Sequence, residues 1–343
     1  MLDTLGRCYI ACWRFIVTGF VCGAGALWAP ASLAKAPSVE RPEGQADPDE
    51  PVPTTTVSRA ASAGGRLPSK PNTRIIELMS RPAERRLVWH EYRKILVDEP
   101  RISQGVTFWR DNRAALERAE TIYGVPPEII VAIIGVETRY GRVTGNFGVV
   151  DALSTLAFDY PPRAKFFRGQ LTQHFLLSRE EGKDPLSMKG SYAGAMGYGQ
   201  FIPSSYRSYA VDFDGDGVRD IWNNKTDAIG SVANYFAENG WRGQHDVVER
   251  VSLAAENPEL TSLANIALKP TRTVAQWREL GVQVSAEQPA NRIATLMRMQ
   301  QPESAEYWLG FEDFYAITRY NHSRLYAMAV YQLSQAISER RKN

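Results

Sequence analysis

One glutamate, Glu137, stands in the most apolar helical stretch of the chain. The stretch opens at Val125 with two prolines suited to a first helical turn, and Gly141 follows as a predicted helix stop. The residues three, four and seven positions before Glu137 are isoleucines, so a helix places this carboxyl on an apolar stripe. Desolvation there favours the protonated form, which a general acid for glycosidic cleavage needs. The alternative is a frayed last turn, in which Glu137 reaches water or pairs with Arg139 or Arg142.

A glycine-rich segment is the second candidate for chemistry. Residues 190–205 read GSYAGAMGYGQFIPSS, which is too rich in glycine for a helix interior and too long for an ordinary turn. The glycines let backbone approach a bulky ligand, while Ser191 and Gln200 offer hydrogen-bonding groups suited to sugar hydroxyls or an N-acetyl group. On these residues alone, a purely structural loop explains the pattern equally well.

A third motif has the composition of a cation site. Residues 212–220 read DFDGDGVRD, with carboxylates at positions 1, 3, 5 and 9 and glycine at position 6 of an EF-hand-type loop. Carboxylates this close repel one another without a cation, and calcium is the natural occupant for oxygen donors. Position 12 is Asn223 instead of the usual glutamate, a departure that weakens binding or moves the last ligand. The alternative is a solvated acidic turn.

Taken together, these motifs resemble a known family. The pattern Glu-Thr-Arg-Tyr-Gly that begins at Glu137, followed by the glycine-rich segment, resembles the lytic transglycosylases of the membrane-bound lytic transglycosylase B family, which cut the peptidoglycan glycan. Asn-Tyr-Phe at 234–236 and Arg-Tyr-Asn-His-Ser at 319–323 are further matches, and the resemblance runs from residue 75 to the C-terminus. It implies that Glu137 is the catalytic acid/base and that a lysozyme-like helical core carries it.

The resemblance also implies substrate and metal contacts. The implied substrate-binding residues are Ser191, Gln200, Phe166, Met196, Tyr235, Tyr320 and Asn321. Phe166 falls where relatives often carry tyrosine, and without the resemblance Tyr235 and Tyr320 would be interpreted as core aromatics. The implied ligands of a structural calcium ion are Asp212, Asp214, Asp216, the backbone carbonyl of Val218, Asp220 and Asp227. No cofactor is expected for catalysis.

The expected reaction uses one carboxyl, because no second acidic residue lies within the matching catalytic motifs. A muramyl C6 hydroxyl can then act as the nucleophile and give a 1,6-anhydromuramyl end. Ordinary glycosidases pair two carboxylates. The alternatives here are a muramidase that hydrolyses the same bond with a bound water, and an inactive peptidoglycan-binding scaffold. Four scattered histidines disfavour a zinc site, and the absence of a Gly-x-Ser-x-Gly elbow disfavours acyl transfer.

Around these motifs the spacing of apolar residues predicts a mainly α (α+β) protein. Helices are predicted over 165–177, 227–239 and 322–339, and strand-like alternation over 247–253 and 292–299. The predicted order is a signal peptide at 1–34, a disordered linker at 35–74, a helical part at 75–122, a lysozyme-like core at 123–246, a small α+β insertion at 247–311, and a C-terminal helical part at 312–343 that packs with 75–122.

Composition and the N-terminus bear on partners and location. With 40 Lys and Arg against 38 Asp and Glu, the chain offers no basic field for nucleic acid. Arg7 and Arg14 precede a short apolar run, and a small-residue cleavage signal follows the run before residue 35. This order predicts export to the periplasm, with an uncleaved anchor as the alternative. All three cysteines lie in this leader, so a processed protein forms no disulfides. We expect a monomer whose partners are peptidoglycan glycan strands, with cell-wall synthesis or secretion-complex proteins as further candidates.

Overall fold

The computed structural model describes residues 71–80, 87–243, 246–254 and 258–343. The predicted signal peptide and all of the predicted linker before residue 71 lie outside the described residues. The α-helices are α1 Thr73–Met79, α2 Trp89–Leu96, α3 Glu99–Asp111, α4 Arg113–Tyr123, α5 Pro127–Thr138, α6 Val149–Phe158, α7 Ala164–Glu180, α8 Pro203–Tyr209, α9 Lys225–Glu238, α10 Pro258–Leu263, α11 Val274–Glu279, α12 Glu312–Tyr320 and α13 Arg324–Lys342. The mainly helical class predicted from the sequence is confirmed.

Helix α5, which carries Glu137, lies at the centre of the helical part. Apart from Glu128, every residue from Pro127 to Thr138 is buried, as expected of a helix that is apolar on all sides. It packs against α3, α4, α9 and α13, so segments from both ends of the described chain surround it. Within the described ranges no single helix is long and apolar enough to cross a membrane; α4 and α5 pass that test only as a pair, bent by 115°.

The end of α5 differs from the sequence expectation. A left-handed stop was predicted at Gly141, but the helix ends at Thr138 and left-handed backbone begins at once. Arg139, Tyr140 and Gly141 have φ angles of 49°, 61° and 86°. Two residues with side chains therefore take a conformation that normally favours glycine, which local sequence statistics do not anticipate.

The predicted helices and strands elsewhere are confirmed, with shifted ends. Helices α7, α9 and α13 cover the three predicted segments. The strands are β1 Phe147–Gly148, β2 Lys189–Gly190, β3 Val248–Leu253, β4 Arg272–Thr273, β5 Val282–Gln283, β6 Ile293–Gln300 and β7 Ala305–Gly310. Strands β3 and β6 account for the two segments of alternating hydrophobicity. Helix α1 begins at Thr73, inside the span predicted as linker, and Asn72 caps it.

Strands β3 to β7 form an antiparallel sheet in the order β4-β6-β7-β3-β5. Because successive side chains alternate between the faces of a sheet, β6 contributes to two cores. Met297 and Met299 belong to the large core shared with the helices, whereas Leu296 packs in a smaller core with Leu260 of α10 and Trp277 of α11. The short β1–β2 ladder is separate and joins the chain just before α6 to the start of the glycine-rich segment.

Candidate active site

Glu137 is the next-to-last residue of α5, and its side chain is enclosed. Only 5% of its surface is exposed, and the isoleucines of the predicted stripe, Ile130, Ile133 and Ile134, are fully buried. The hydroxyl of Tyr326 on α13 donates to Glu137 Oε1 at 2.6 Å. Burial, and then the neighbouring Glu137 carboxylate, raise the pKa of Tyr326 well above its usual value, so this hydroxyl keeps its proton and acts as a donor. The frayed-turn alternative, with Glu137 directed to water, does not fit this burial.

The glycine-rich segment holds its shape through its own polar groups. Ser191 is fully buried, and its hydroxyl oxygen accepts from the backbone N–H groups of Ala193 and Ala195 at 3.3 and 3.1 Å. Met196 is also fully buried and pairs through its backbone with Phe201. These contacts make Ser191 and Met196 part of the frame of the segment.

The same segment packs directly against the end of α5. Thr138 donates to the carbonyl of Tyr198 at 3.0 Å, and the Gln200 amide donates to the carbonyl of Thr144 at 3.1 Å. The backbone at Gly145 lies so close to the glycine-rich segment that a Cβ there would stand 2.1 Å from the carbonyl oxygen of Gly190. Gln200 has a φ of 51°, which turns the segment back on itself. The structure thus brings the glycine-rich segment against Thr138, the residue after Glu137, although the segment begins more than fifty positions later in the sequence.

The two tyrosine candidates pack against the same segment through Phe201. The Tyr320 hydroxyl donates to the carbonyl of Gly199 at 2.5 Å, and the Tyr235 hydroxyl donates to the carbonyl of Arg319 at 2.6 Å. Their rings lie 4.7 Å apart between centroids, and both side chains are buried, as is Asn321. Both tyrosine hydroxyls are therefore bound to main chain, the arrangement expected of core aromatics.

Phe166 lies in the first turn of α7 and is half-buried. The guanidinium of Arg163 stacks 4.2 Å from its ring centroid, and Phe167 packs edge-on at 5.1 Å. Burial lowers the pKa of Arg163 to about 10, which still leaves it a cation at neutral pH. Helix α7 is tied to the end of the glycine-rich segment through Gln170, whose amide donates to Ser204 Oγ at 2.9 Å.

The acidic loop forms a compact group of oxygen donors between α8 and α9. Carboxylate oxygens of Asp212, Asp214 and Asp227 lie within 4.8 Å of one another. Asp227, from the first turn of α9, is fully buried, and its two oxygens accept from the N–H groups of Phe213 and Asp220 at 2.7 and 2.8 Å. Burial raises the pKa of Asp227, and the charge of Asp214 adds to this, despite those donors. A divalent cation would stabilise these adjacent charges.

The other implied ligands stand apart from that group. The Asp220 carboxylate accepts from the backbone of Trp222 and Asn223, and Asp216 accepts from the N–H of Val218 at 2.8 Å. Asp216, Val218 and Asp220 line a surface hollow of about 550 Å³ together with Asp214. Asp227 lies four positions beyond Asn223, so its carboxylate joins Asp212 and Asp214 from a later position than the twelfth of the loop.

Comparison with known proteins shows which family and which solved structures this chain resembles. The family described as Transglycosylase SLT domain matches residues 53–335. Membrane-bound lytic murein transglycosylase B of Escherichia coli K12 is 48% identical over 251 residues, which are 73% of this chain and 67% of that protein. The crystal structure of the soluble lytic transglycosylase SltB1 from Pseudomonas aeruginosa has a TM-score of 0.77 and 47% identity, over 84% of this chain and 99% of that one.

The chain belongs to the transglycosylase SLT domain family. The Escherichia coli lytic transglycosylase Slt35, in a structure described as a complex with calcium, is 42% identical with a TM-score of 0.73, over 84% of this chain and 93% of that one. The resemblance inferred from Glu137 and the glycine-rich segment is thereby confirmed.

The sequence did not reveal one residue of this candidate site, Tyr326. It lies 189 positions from Glu137 and three residues beyond the last recognised motif. On a helical pattern it stands in line with Val330, Leu333 and Ile337, all buried, so it is indistinguishable from a core aromatic. Only the packing of α13 against α5 reveals its contact with the carboxylate.

Proposed function

We propose that this family member cleaves the β-1,4 bond between N-acetylmuramic acid and N-acetylglucosamine without water, with Glu137 as acid and then as base. The observation that carries the proposal is one enclosed carboxyl at the end of α5, with a tyrosine donor on one oxygen and the glycine-rich segment packed beside it. As a member of this family the protein is a lytic murein transglycosylase that acts on cell-wall peptidoglycan.

The proposed reaction balances with this single carboxyl. Protonated Glu137 gives its proton to the glycosidic oxygen as the bond from that oxygen to the muramyl C1 breaks, which frees the 4-hydroxyl of N-acetylglucosamine. The resulting carboxylate takes the proton of the muramyl C6 hydroxyl as O6 bonds to C1. Glu137 ends protonated, and the product carries a 1,6-anhydro ring.

Burial and the Tyr326 hydrogen bond act in opposite directions on this carboxyl. Removal from water favours the neutral acid, whereas a donated hydrogen bond favours the carboxylate. Both forms are needed in turn, so the two effects together keep Glu137 able to release and recover one proton. Tyr326 itself stays neutral, because burial and Glu137 raise its pKa.

The proposed substrate-binding residues fall into two groups according to the solvent exposure of their side chains. Gln200 and Phe166 are partly exposed, and we assign them the direct contacts with sugar. Ser191, Met196, Tyr235, Tyr320 and Asn321 are buried, and we assign them the shape of the cleft wall. The phenylalanine ring offers an apolar sugar face a stacking surface but no hydrogen bond, in keeping with its departure from the tyrosine common in relatives.

We further propose calcium at the acidic loop, with Asp212, Asp214 and Asp227 as its nearest carboxylate ligands. Asp216, Asp220 and the Val218 carbonyl complete the expected set, directly or through water. The ion would join the loop to α9 and neutralise the repulsion among these groups, which is a structural role. The leader sequence supports a periplasmic location, where murein strands are the expected partner and the protein acts as a monomer.

Digestion of purified sacculi tests the proposed chemistry. We expect wild-type protein to release muropeptides with anhydro ends, and Glu137→Gln to release none while it still binds sacculi. Glu128→Gln, a change of the same kind in the first turn of the same helix, is the matched control and should retain activity.

Mass spectrometry of the products separates the alternatives. Products heavier by one water, with reducing ends, would identify a hydrolytic muramidase. Binding of sacculi by wild-type protein without any release would identify an inactive scaffold. Cleavage by Glu137→Gln at the wild-type rate would refute the assignment of the catalytic residue.

A further inference from the structure

Three charged side chains meet where α5 ends, and we name them the Asp98 cluster: Asp98, Arg101 and Arg139. Asp98 Oδ2 accepts from Arg101 Nη1 and from Arg139 Nη2, each at 3.1 Å. Arg101 is only 1% exposed, and its guanidinium also donates to Gly135 O in α5 at 3.0 Å and to the last two carbonyls of α2 at 2.8 Å. One buried cation thus joins the C-terminal ends of two helices, where the helix dipole favours positive charge.

The cluster holds a backbone conformation that is costly by itself. Arg139 and Tyr140 both have positive φ angles, and left-handed backbone costs a residue with a side chain about 1–2 kcal/mol. The Arg139 N–H donates to Gly135 O, the same carbonyl that Arg101 binds, so the turn and the cluster share an anchor. Such strain persists where surrounding contacts fix it, and it often marks functional sites.

Tyr140 fixes the turn from the other side. Its hydroxyl donates to the carbonyl of Arg101 at 2.9 Å, and its ring lies against two glycines. A Cβ at Gly105 in α3 or at Gly135 in α5 would stand 2.5 Å from the Tyr140 hydroxyl oxygen. Helices α3 and α5 therefore leave a slot shaped for this ring, and the reversal after Thr138 cannot shift without displacing it.

We propose that the Asp98 cluster is a positioning device that fixes the terminus of α5 and so aims the Glu137 carboxyl. The inference rests on the proposed role of Glu137, which lies two residues before Arg139. The cluster binds helix ends and its own carboxylate, so it acts on the reaction through the backbone of α5 and not through contact with sugar. A displacement of a reacting group by about 1 Å can cost on the order of a hundredfold in rate.

Arg139 provides the test, because its side chain is 25% exposed and can be changed without opening the core. Arg139→Gly removes the guanidinium but also relieves the left-handed strain, so stability should be equal or higher. Arg139→Lys keeps the charge and the strain but cannot reproduce the planar fork. With a soluble glycan oligomer of defined length, we expect kcat to fall about tenfold to a hundredfold in Arg139→Gly and less in Arg139→Lys. KM should stay at the wild-type value. Tm should stay at the wild-type value or rise.

Arg113→Lys is the matched control, because it alters an exposed ion pair with Glu117 on α4 and should leave kcat unchanged. Unchanged kcat in both Arg139 variants, or a loss of activity that follows a fall in Tm or a rise in KM, would overturn the positioning role. Glu137→Gln in the same assay keeps the two proposals separate. If that variant is inactive and both Arg139 variants are fully active, only the positioning role fails; if it is active, the assignment of Glu137 fails.

Discussion

Replacing Tyr326 by phenylalanine tests whether its buried hydrogen bond sets the proton balance of Glu137. The change removes one hydroxyl and leaves the ring in its packing between α13 and α5. The oxygen atoms are 2.6 Å apart and Tyr326 is fully buried, so the bond belongs to the class made with charged groups, worth about 1.5–3 kcal/mol. Because one pH unit corresponds to about 1.4 kcal/mol, its loss should favour protonated Glu137 by roughly one to two pH units.

The assay is the pH dependence of kcat on a soluble glycan oligomer. The first step needs Glu137 as an acid, so the rate falls on the alkaline side as that proton is lost. In Tyr326→Phe this alkaline limb should move to higher pH by roughly one to two units, with a lower maximum because the carboxyl loses a positioning contact. Tyr331→Phe, which removes a hydroxyl from a half-buried position on the same helix, is the control and should leave the limb in place.

An alkaline limb at the same pH in wild-type protein and Tyr326→Phe would contradict this prediction. It would mean that the hydrogen bond does not distinguish the two protonation states of Glu137. An equal movement in Tyr331→Phe would also refute it, since the effect would then come from loosening of α13.

Three further outcomes follow from the structure. A chelator should lower Tm, with recovery on calcium but not magnesium, and Asp227→Asn should remove this calcium dependence, since Asp227 lies in the group of carboxylates. Burial lowers the pKa of His174, so the folded state favours the neutral ring. The free energy of unfolding should therefore be constant above about pH 6.5 and should decline as the pH falls below that value. Denaturant titrations of His174→Gln should lack this decline. Gly135→Ala should lower the free energy of unfolding by about 1–3 kcal/mol in the same titrations, because the new methyl group collides with Tyr140, whereas Gly169→Ala, with nothing within 4 Å of the added carbon, should not.

The local features of this chain can be predicted from its sequence. Apolar periodicity is set by neighbouring residues, so it revealed α5 and the burial of Glu137 within it. Alternation revealed strands β3 and β6, and the spacing of the aspartates revealed the acidic loop. The resemblance to the transglycosylase family followed from two contiguous motifs, each of which can be read within a short window.

Contacts between groups that are distant in sequence depend on the tertiary fold. Tyr326 contacts Glu137 across 189 positions of the sequence, and Arg101 contacts Gly135 across 34 positions. Both contacts arise from helix packing, whereas the hydrophobic pattern of a helix predicts only which of its faces is buried. The same packing brings the hydroxyls of Tyr235 and Tyr320 to main-chain carbonyls. The left-handed backbone also begins at Arg139, two residues before the predicted stop at Gly141. A local pattern fixes how much of a side chain is buried, but the partner of a buried polar group depends on contacts between segments that are remote in the chain.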